Sequence, residues 1–165
     1  MTSTRHHDLF AAVERGDSVA VRSMVAAGTD PNNPNEEEDT PLHCAIEAGH
    51  SDVVRVLLES GADMNRQNGV GETPLLTAVI EKQTAIAEML LAQGADVHQP
   101  EVNGVNPLMW AITNGDTDLV RILLAHGADP GVKDEWGEDA FEYADSDTVS
   151  NDAIRALLAE WKRRA

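Results

Sequence analysis

Apolar side chains recur along this chain in short stripes with helical spacing. A clear stripe falls on four positions, Val53, Val54, Leu57 and Leu58, which lie on one side of a helix. A helix before it would begin at Thr40, whose oxygen can cap it, followed by Pro41 with φ preset for a first turn. Gly49 can end that helix, Ser51 can cap the second, and Gly61 can close it. The pattern predicts a helix–turn–helix unit.

The same signals return with a period of 33 residues. One column is a Gly-x-Asp triplet, at Gly28–Asp30, Gly61–Asp63, Gly94–Asp96 and Gly127–Asp129. A second column carries the first-helix starts, at Thr40, Thr73, Asn106 and Asp139. Two columns in phase indicate an internal repeat, which decides the architecture. A single unit would leave one apolar face in water, so the units are predicted to stack.

The repeated unit resembles the ankyrin repeat. The resemblance rests on residues 39–50, 53–58 and 61–65, in which a Thr-Pro-Leu-His start is followed by the apolar stripe and by Gly-Ala-Asp. It covers roughly residues 7–160 and implies an all-α solenoid of helix–turn–helix units joined by β-hairpin-like loops. For His43, in the Thr-Pro-Leu-His position, it implies a hydrogen-bonding role that fixes the hairpin and the first helix.

The period divides the chain into one domain of five units. These are an N-terminal capping repeat at 1–33, full repeats at 34–66, 67–99 and 100–132, and a C-terminal capping repeat at 133–165. One residue is inserted in the last unit, within 145–152. Lys82 stands at a helix-ending glycine position and should strain that turn slightly. Glu38 stands where later hairpins have glycine, which predicts a looser first hairpin.

The net charge of the chain disfavours some classes of binding partner. The chain has 29 acidic and 12 basic residues, for a formal charge of −17. Such a surface repels nucleic-acid phosphate and anionic lipid and attracts basic partners. No apolar run approaches the roughly 20 residues needed to cross a bilayer, and the N-terminus has no signal-like apolar stretch. Cys44 is the single cysteine, so no internal disulfide can form, and a cytoplasmic protein is expected.

No catalytic, metal or cofactor site is predicted. His43 and Cys44 are neighbours on a helix and point about 100° apart, which does not suit a hydrogen-bonded pair. Gly69-Val-Gly71 lacks the rest of a phosphate-binding loop. The second helices carry an arginine column, Arg22, Arg55, Arg121 and Arg155, which is typical of a solvated outer face but leaves open an anion-binding ridge.

In ankyrin arrays, partners usually lie on the hairpin tips and on the exposed concave face of the first helices. Carried onto this chain, the resemblance implies thirteen partner-binding residues: Glu36, Glu37, Asp39, Glu47, Val70, Glu72, Ile80, Glu81, Val102, Val105, Glu135, Trp136 and Glu138. Acidic side chains dominate, and the apolar ones are expected to be exposed among them, as at a protein interface. Trp136 is the expected hot spot, whereas Trp110 is expected to pack between repeats.

These observations predict a monomeric binding protein with no enzymatic activity and a basic protein partner. An alternative is an inhibitor or immunity protein that covers the basic active site of a toxin or nuclease. A simpler interpretation also stays open: the acidic residues could serve only solubility, and single exposed valines are common on protein surfaces.

Overall fold

The computed structural model describes residues 2–146 and 151–164, with side chains from His7 onwards. Over these residues the chain forms ten α-helices and no β-strand. In chain order they are α1 Thr2–Glu14, α2 Ser18–Ala26, α3 Pro41–Glu47, α4 Ser51–Glu59, α5 Pro74–Ile80, α6 Thr84–Ala92, α7 Pro107–Thr113, α8 Thr117–Ala125, α9 Ala140–Asp145 and α10 Asp152–Arg164. No helix in these ranges is long and apolar enough to cross a membrane.

The helices form two layers. Each odd-numbered helix packs against the even-numbered helix that follows it. Along the array, α1, α3, α5, α7 and α9 contact one another in sequence, and α2, α4, α6, α8 and α10 do the same. The predicted all-α solenoid is therefore confirmed.

The starts of the first helices lie where the sequence predicts them. Thr40, Thr73, Asn106 and Asp139 are the N-cap residues of α3, α5, α7 and α9, and each side chain accepts a backbone N–H of the first turn. The predicted caps of the second helices are wrong by one residue. Ser51 is the first helical residue of α4, and the N-cap position belongs to His50, whose side chain does not cap the helix. Elsewhere in this column Asp17 and Asp116 are N-caps that do accept backbone N–H groups.

One continuous apolar core runs through the stack. It begins at Leu9, includes the predicted stripe of α4, and ends at Leu158. Val53, Val54 and Leu57 are fully buried between the layers. Each unit thus completes the burial of its neighbours, as a stacked repeat requires. In the last unit, residues 147–150 of the predicted insertion lie outside the described residues.

Two residues other than glycine have a positive φ, Glu38 at 66° and Lys82 at 55°. Their counterparts in other repeats are glycines in the same left-handed region, such as Gly71 at 85° and Gly49 at 70°. The strain predicted at Lys82 agrees with this conformation. The first hairpin keeps the bonding pattern of the second, with Glu38 N donating to Asn35 O at 3.2 Å and Gly71 N to Asn68 O at 3.0 Å, and its looseness stays a prediction.

Glycine at either strained position is expected to stabilise the fold. A left-handed residue with a Cβ costs about 1–2 kcal/mol, part of which glycine loses again through the greater entropy of its unfolded chain. We expect Glu38→Gly and Lys82→Gly each to raise the free energy of unfolding by about 0.5–1 kcal/mol in urea denaturation. Glu38→Ala and Lys82→Ala are the matched controls, and an equal gain from alanine would exclude backbone strain as the cause.

Candidate partner-binding surface

Four hairpin-like loops connect the units and bring the predicted site residues together. They are hairpin 1 at 35–39, hairpin 2 at 68–72, hairpin 3 at 101–105 and hairpin 4 at 134–138. In each, the N–H of the first residue donates to the carbonyl of the fifth, at 2.9, 2.9, 3.1 and 3.0 Å. The chain therefore reverses within a few residues at every junction, as the turn-forming composition predicts.

Three of the hairpins are also held by the side chain of their first residue. Asn68 Oδ1 accepts from Val70 N at 3.2 Å and Glu72 N at 2.9 Å. Asn35 and Asp134 make the same pair of bonds in hairpins 1 and 4. This column was not among the sequence predictions, although its signal is simple: an Asn or Asp recurs at multiples of 33 residues before three of the four turns. Such side chains compete well for backbone N–H groups in turns.

Successive hairpins stack against one another. A Cβ atom added to Gly69 would lie 2.5 Å from the carbonyl oxygen of Glu37, and one added to Gly71 would lie 2.6 Å from Cγ2 of Val102. Further along, Glu135 N donates to Asn103 O at 3.1 Å. At Gly69 the neighbour is backbone, so only glycine permits that approach. The loop ends thus form one continuous surface.

Three large apolar side chains stand out from this surface, and we call them the tip row. Val70 is 62% exposed, Val102 70% and Trp136 66%, so the predicted exposure is confirmed for these three. Ile80, at the end of α5, is half-buried. Exposure alone does not mark a site, since Val19 on α2 is 75% exposed. The tip row differs from it in being grouped on stacked loops.

For Val105 the expected exposure is wrong. Its side chain is 7% exposed. Val105 is the last residue of hairpin 3 and directly precedes the buried N-cap Asn106 of α7. An apolar residue at this junction is buried with the helix start, whereas the charged Glu138 at the same position of hairpin 4 stays exposed.

The predicted acidic residues are mostly exposed. Glu36, Glu37, Glu47, Glu81, Glu135 and Glu138 are exposed, whereas Asp39 and Glu72 are half-buried. Partial burial raises the pKa of Glu47, and the negative charges of Asp39, Glu81, Glu72 and Glu37 raise it further. We call these five residues the acidic cluster. It draws side chains from two hairpins and from the ends of α3 and α5, and none of its members forms an ion pair within the described residues.

Neutralising Glu47 is expected to stabilise the protein at neutral pH. The pKa of Glu47 is higher in the folded state than in the unfolded chain, so the ionised form destabilises the fold, and this penalty is relieved as the pH falls through that pKa. Because the side chain is exposed and screened, Glu47→Gln should raise the free energy of unfolding by only about 0.3–0.5 kcal/mol.

Urea denaturation should show this gain at low salt and neutral pH, and should show it shrink in high salt and towards pH of about 4. Glu88→Gln, an exposed change on α6 outside the acidic cluster, is the matched control. The same gain in Glu88→Gln, or a gain that persists at acid pH, would contradict the account.

His43 has the hydrogen-bonding role that the resemblance implies. Its ring is fully buried, with Nε2 3.0 Å from the Glu72 carbonyl and Nδ1 2.8 Å from the Thr40 hydroxyl. Since the carbonyl can only accept, Nε2–H donates to it and Nδ1 accepts from Thr40. Burial lowers the pKa of His43. The ring therefore joins the start of α3 to the end of hairpin 2 in its neutral form.

Cys44, next to His43, has little nucleophilic character. Burial raises the pKa of its thiol to about 12, with added effects from Glu47, Asp39 and Glu14. The thiol is therefore protonated at neutral pH and is a poor nucleophile. No group of three or more His, Cys, Asp or Glu side chains in the described residues could hold a metal ion.

The arginine column lies on the second helices and is partly engaged in ion pairs. Arg22 lies 2.8 Å from Glu59, and Arg155 lies 3.2 Å from Asp145. Arg55 and Arg121 are exposed. These residues supply comparison positions away from the hairpins.

The family comparison agrees with this architecture. A family model described as ankyrin repeats matches three times, at residues 9–101, 61–134 and 98–163, which together cover nearly the whole chain. The comparison with curated proteins gives no match. Ankyrin repeats are generally protein–protein interaction modules and are typically non-catalytic. The match, the 33-residue period and the two-layered stack of helix pairs lead to the same conclusion: this chain belongs to the ankyrin-repeat family.

Proposed function

We propose that this protein is a non-catalytic binding module whose partner contacts the tip row and the acidic cluster together. The observation that carries the proposal is the position of Val70, Val102 and Trp136, all more than 60% exposed on stacked loops. Apolar groups gathered in this way, with charged residues around them, are typical of protein interfaces. The partner is a protein with a basic surface.

Trp136 is the anchor in this proposal. Its backbone N–H donates to Asp134 Oδ1 at 2.9 Å, and the preceding Glu135 N–H donates to hairpin 3. The loop that carries the indole is therefore held on two sides before any partner arrives. An aromatic side chain on a loop that is already ordered binds without the cost of ordering that loop and can contribute strongly to affinity.

The acidic cluster attracts a basic partner electrostatically before contact is made. Five carboxylates with no ion pair among the described residues favour the approach of a cationic surface, and the total charge of −17 acts in the same direction at longer range. The same charge disfavours direct contact with nucleic acid. The proposal also includes a monomeric state and a cytoplasmic location, the latter favoured by a cysteine content that allows no internal disulfide.

The test is a pull-down from the native source at low and high salt with four forms of the protein. They are the wild type, Trp136→Ala, the double variant Glu47→Lys/Glu81→Lys, and the outer-face control Arg55→Glu/Arg121→Glu. Glu47 and Glu81 are preferred to Asp39, which accepts a bond from Asn68 Nδ2 at 2.8 Å and is part of the hairpin structure. The control and the wild type should recover the same partner, and the other two variants should lose it.

The identity of the recovered partner separates the two functional hypotheses. A nuclease or other toxin that loses its activity in a tight stoichiometric complex would favour the inhibitor. A partner that keeps its activity and binds with moderate affinity would favour an adaptor. Equal recovery by all four forms would place the binding site elsewhere, and loss only in the outer-face control would move it to the second helices.

A further inference from the structure

Hairpin 3 lacks the side-chain bonds that hold the other three hairpins. Glu101 occupies the position of Asn35, Asn68 and Asp134. Its closing backbone bonds are ordinary, from Glu101 N to Val105 O at 3.1 Å and from Gly104 N to Glu101 O at 3.0 Å. Its carboxylate, however, does not accept the N–H groups of Asn103 and Val105, and instead lies 3.4 Å from Asn103 Nδ2. The additional methylene group of glutamate carries the oxygens away from the turn.

A second irregularity of this repeat is a buried indole N–H without an acceptor. In the last repeat the corresponding position is Tyr143, whose hydroxyl donates to Asp134 Oδ2 at 2.8 Å. In the third full repeat it is Trp110, whose Nε1 is buried and has no hydrogen-bond acceptor. A buried donor without a partner costs about 1–3 kcal/mol relative to one that reaches water. Both irregularities belong to the same repeat.

We propose that hairpin 3 is an adaptable segment of the tip row, which opens locally while hairpins 1, 2 and 4 stay closed, and that each opening hydrates the Trp110 indole. Opening gives water partners to the N–H of Val105, a residue that is only 7% exposed in the closed loop, and to Nε1 of Trp110. Against it stand the closing backbone bonds and two bonds to the neighbouring loops, from Gln67 Nε2 to Pro100 O and from Glu135 N to Asn103 O. When hairpin 3 opens, hairpin 4 loses the bond to Asn103 but keeps its own closing bond and the two bonds to Asp134 Oδ1.

The consequence for binding rests on the proposed function. Hairpin 3 carries Val102, the most exposed residue of the tip row, between the more firmly held Val70 and Trp136. A partner would bind Val70 and Trp136 on closed hairpins, and Val102 on a hairpin that can adjust to it. The opening itself does not depend on any partner.

Amide hydrogen exchange of the free protein, followed by NMR, tests the opening. The loss of side-chain bonds should make Asn103 and Val105 N–H exchange about tenfold faster, relative to their intrinsic rates, than Val70 and Glu72 N–H in hairpin 2. The indole N–H of Trp110, identified with a Trp110→Phe variant, should exchange with the same opening constant as Val105 N–H. Equal protection of hairpins 2 and 3, or an indole that exchanges independently of the loop, would overturn the proposal.

Two substitutions at one position separate the missing bonds from simple charge repulsion. Glu101→Asn restores the side chain of the other hairpins and should slow exchange at Asn103, Val105 and the Trp110 indole to the level of hairpin 2. Glu101→Gln removes the charge but keeps the longer chain, so exchange there should stay fast. Slowing by Glu101→Gln to the same extent, or no slowing by Glu101→Asn, would contradict the mechanism. Because no partner is needed, failure here leaves the proposed function untouched, and failure of partner binding leaves the opening untouched.

Discussion

Replacement of His43 by alanine is expected to lower the free energy of unfolding by about 3 kcal/mol. The ring is fully buried and makes hydrogen bonds at both nitrogens. Its removal leaves a cavity beside α3, takes a partner from the Thr40 hydroxyl and frees the Glu72 carbonyl at the end of hairpin 2. One substitution thus weakens a helix start and the junction between two repeats.

Urea denaturation followed by circular dichroism measures this loss. His126→Ala is the matched control, because His126 is exposed at the end of α8 and a change there should cost less than about 0.5 kcal/mol. A loss below about 1 kcal/mol for His43→Ala, within the range of one ordinary hydrogen bond, would contradict the structural role given to the ring.

The buried, neutral His43 should also make the stability of the fold depend on pH. Burial lowers the pKa of His43 in the folded protein below the usual value of a histidine, about 6.5, so the unfolded chain binds the proton more readily. Stability should therefore be lost as the pH falls below about 6.5. In His43→Gln, which cannot titrate, stability should fall less between about pH 7 and pH 5.5 than in the wild type. An equal fall in both proteins would exclude His43 as the source.

The repeat architecture was accessible from the sequence because its determinants are local and recur. The first-helix caps at Thr40 and Asn106 act within one turn, and the buried stripe at Val53 and Leu57 follows helical spacing. For the second helices, the same local signals predicted N-caps one residue too far along the chain. Gly49 and His50 both precede α4, and only the backbone geometry shows which residue is the N-cap.

The candidate site was less accessible because it depends on how the loops stack. Val105 is apolar and lies in a loop, yet it is buried at the end of hairpin 3, next to the N-cap of α7. Glu47 comes from one repeat and Glu72 and Glu81 from the next, and the negative charges of these neighbours raise the pKa of Glu47 only once the repeats are packed. The side chains of Asn35, Asn68 and Asp134, which accept backbone N–H groups in their hairpins, recur at multiples of 33 residues and could have been found from this spacing. The exception at Glu101 could have been found in the same way.

The second large effect is expected on binding. Trp136→Ala should weaken the affinity for the partner by at least about 30-fold, which corresponds to the 2 kcal/mol that defines a hot spot. Glu47→Lys/Glu81→Lys should weaken it by about 100-fold at low salt, because two attractive charges become repulsive towards a basic surface. The charge effect should shrink as salt is added, whereas the Trp136 effect should persist. Both variants change exposed side chains, so thermal unfolding should be close to that of the wild type.

The central claim is that the partner binds the hairpin side of the array and not the second helices. The most direct measurement is titration calorimetry of the recovered partner with the wild type, Trp136→Ala, Glu47→Lys/Glu81→Lys and Arg55→Glu/Arg121→Glu. The account predicts that the two hairpin-side variants lose affinity as stated and that the arginine variant binds within about twofold of the wild type. Unchanged affinity in both hairpin-side variants, with a loss in the arginine variant, would contradict it.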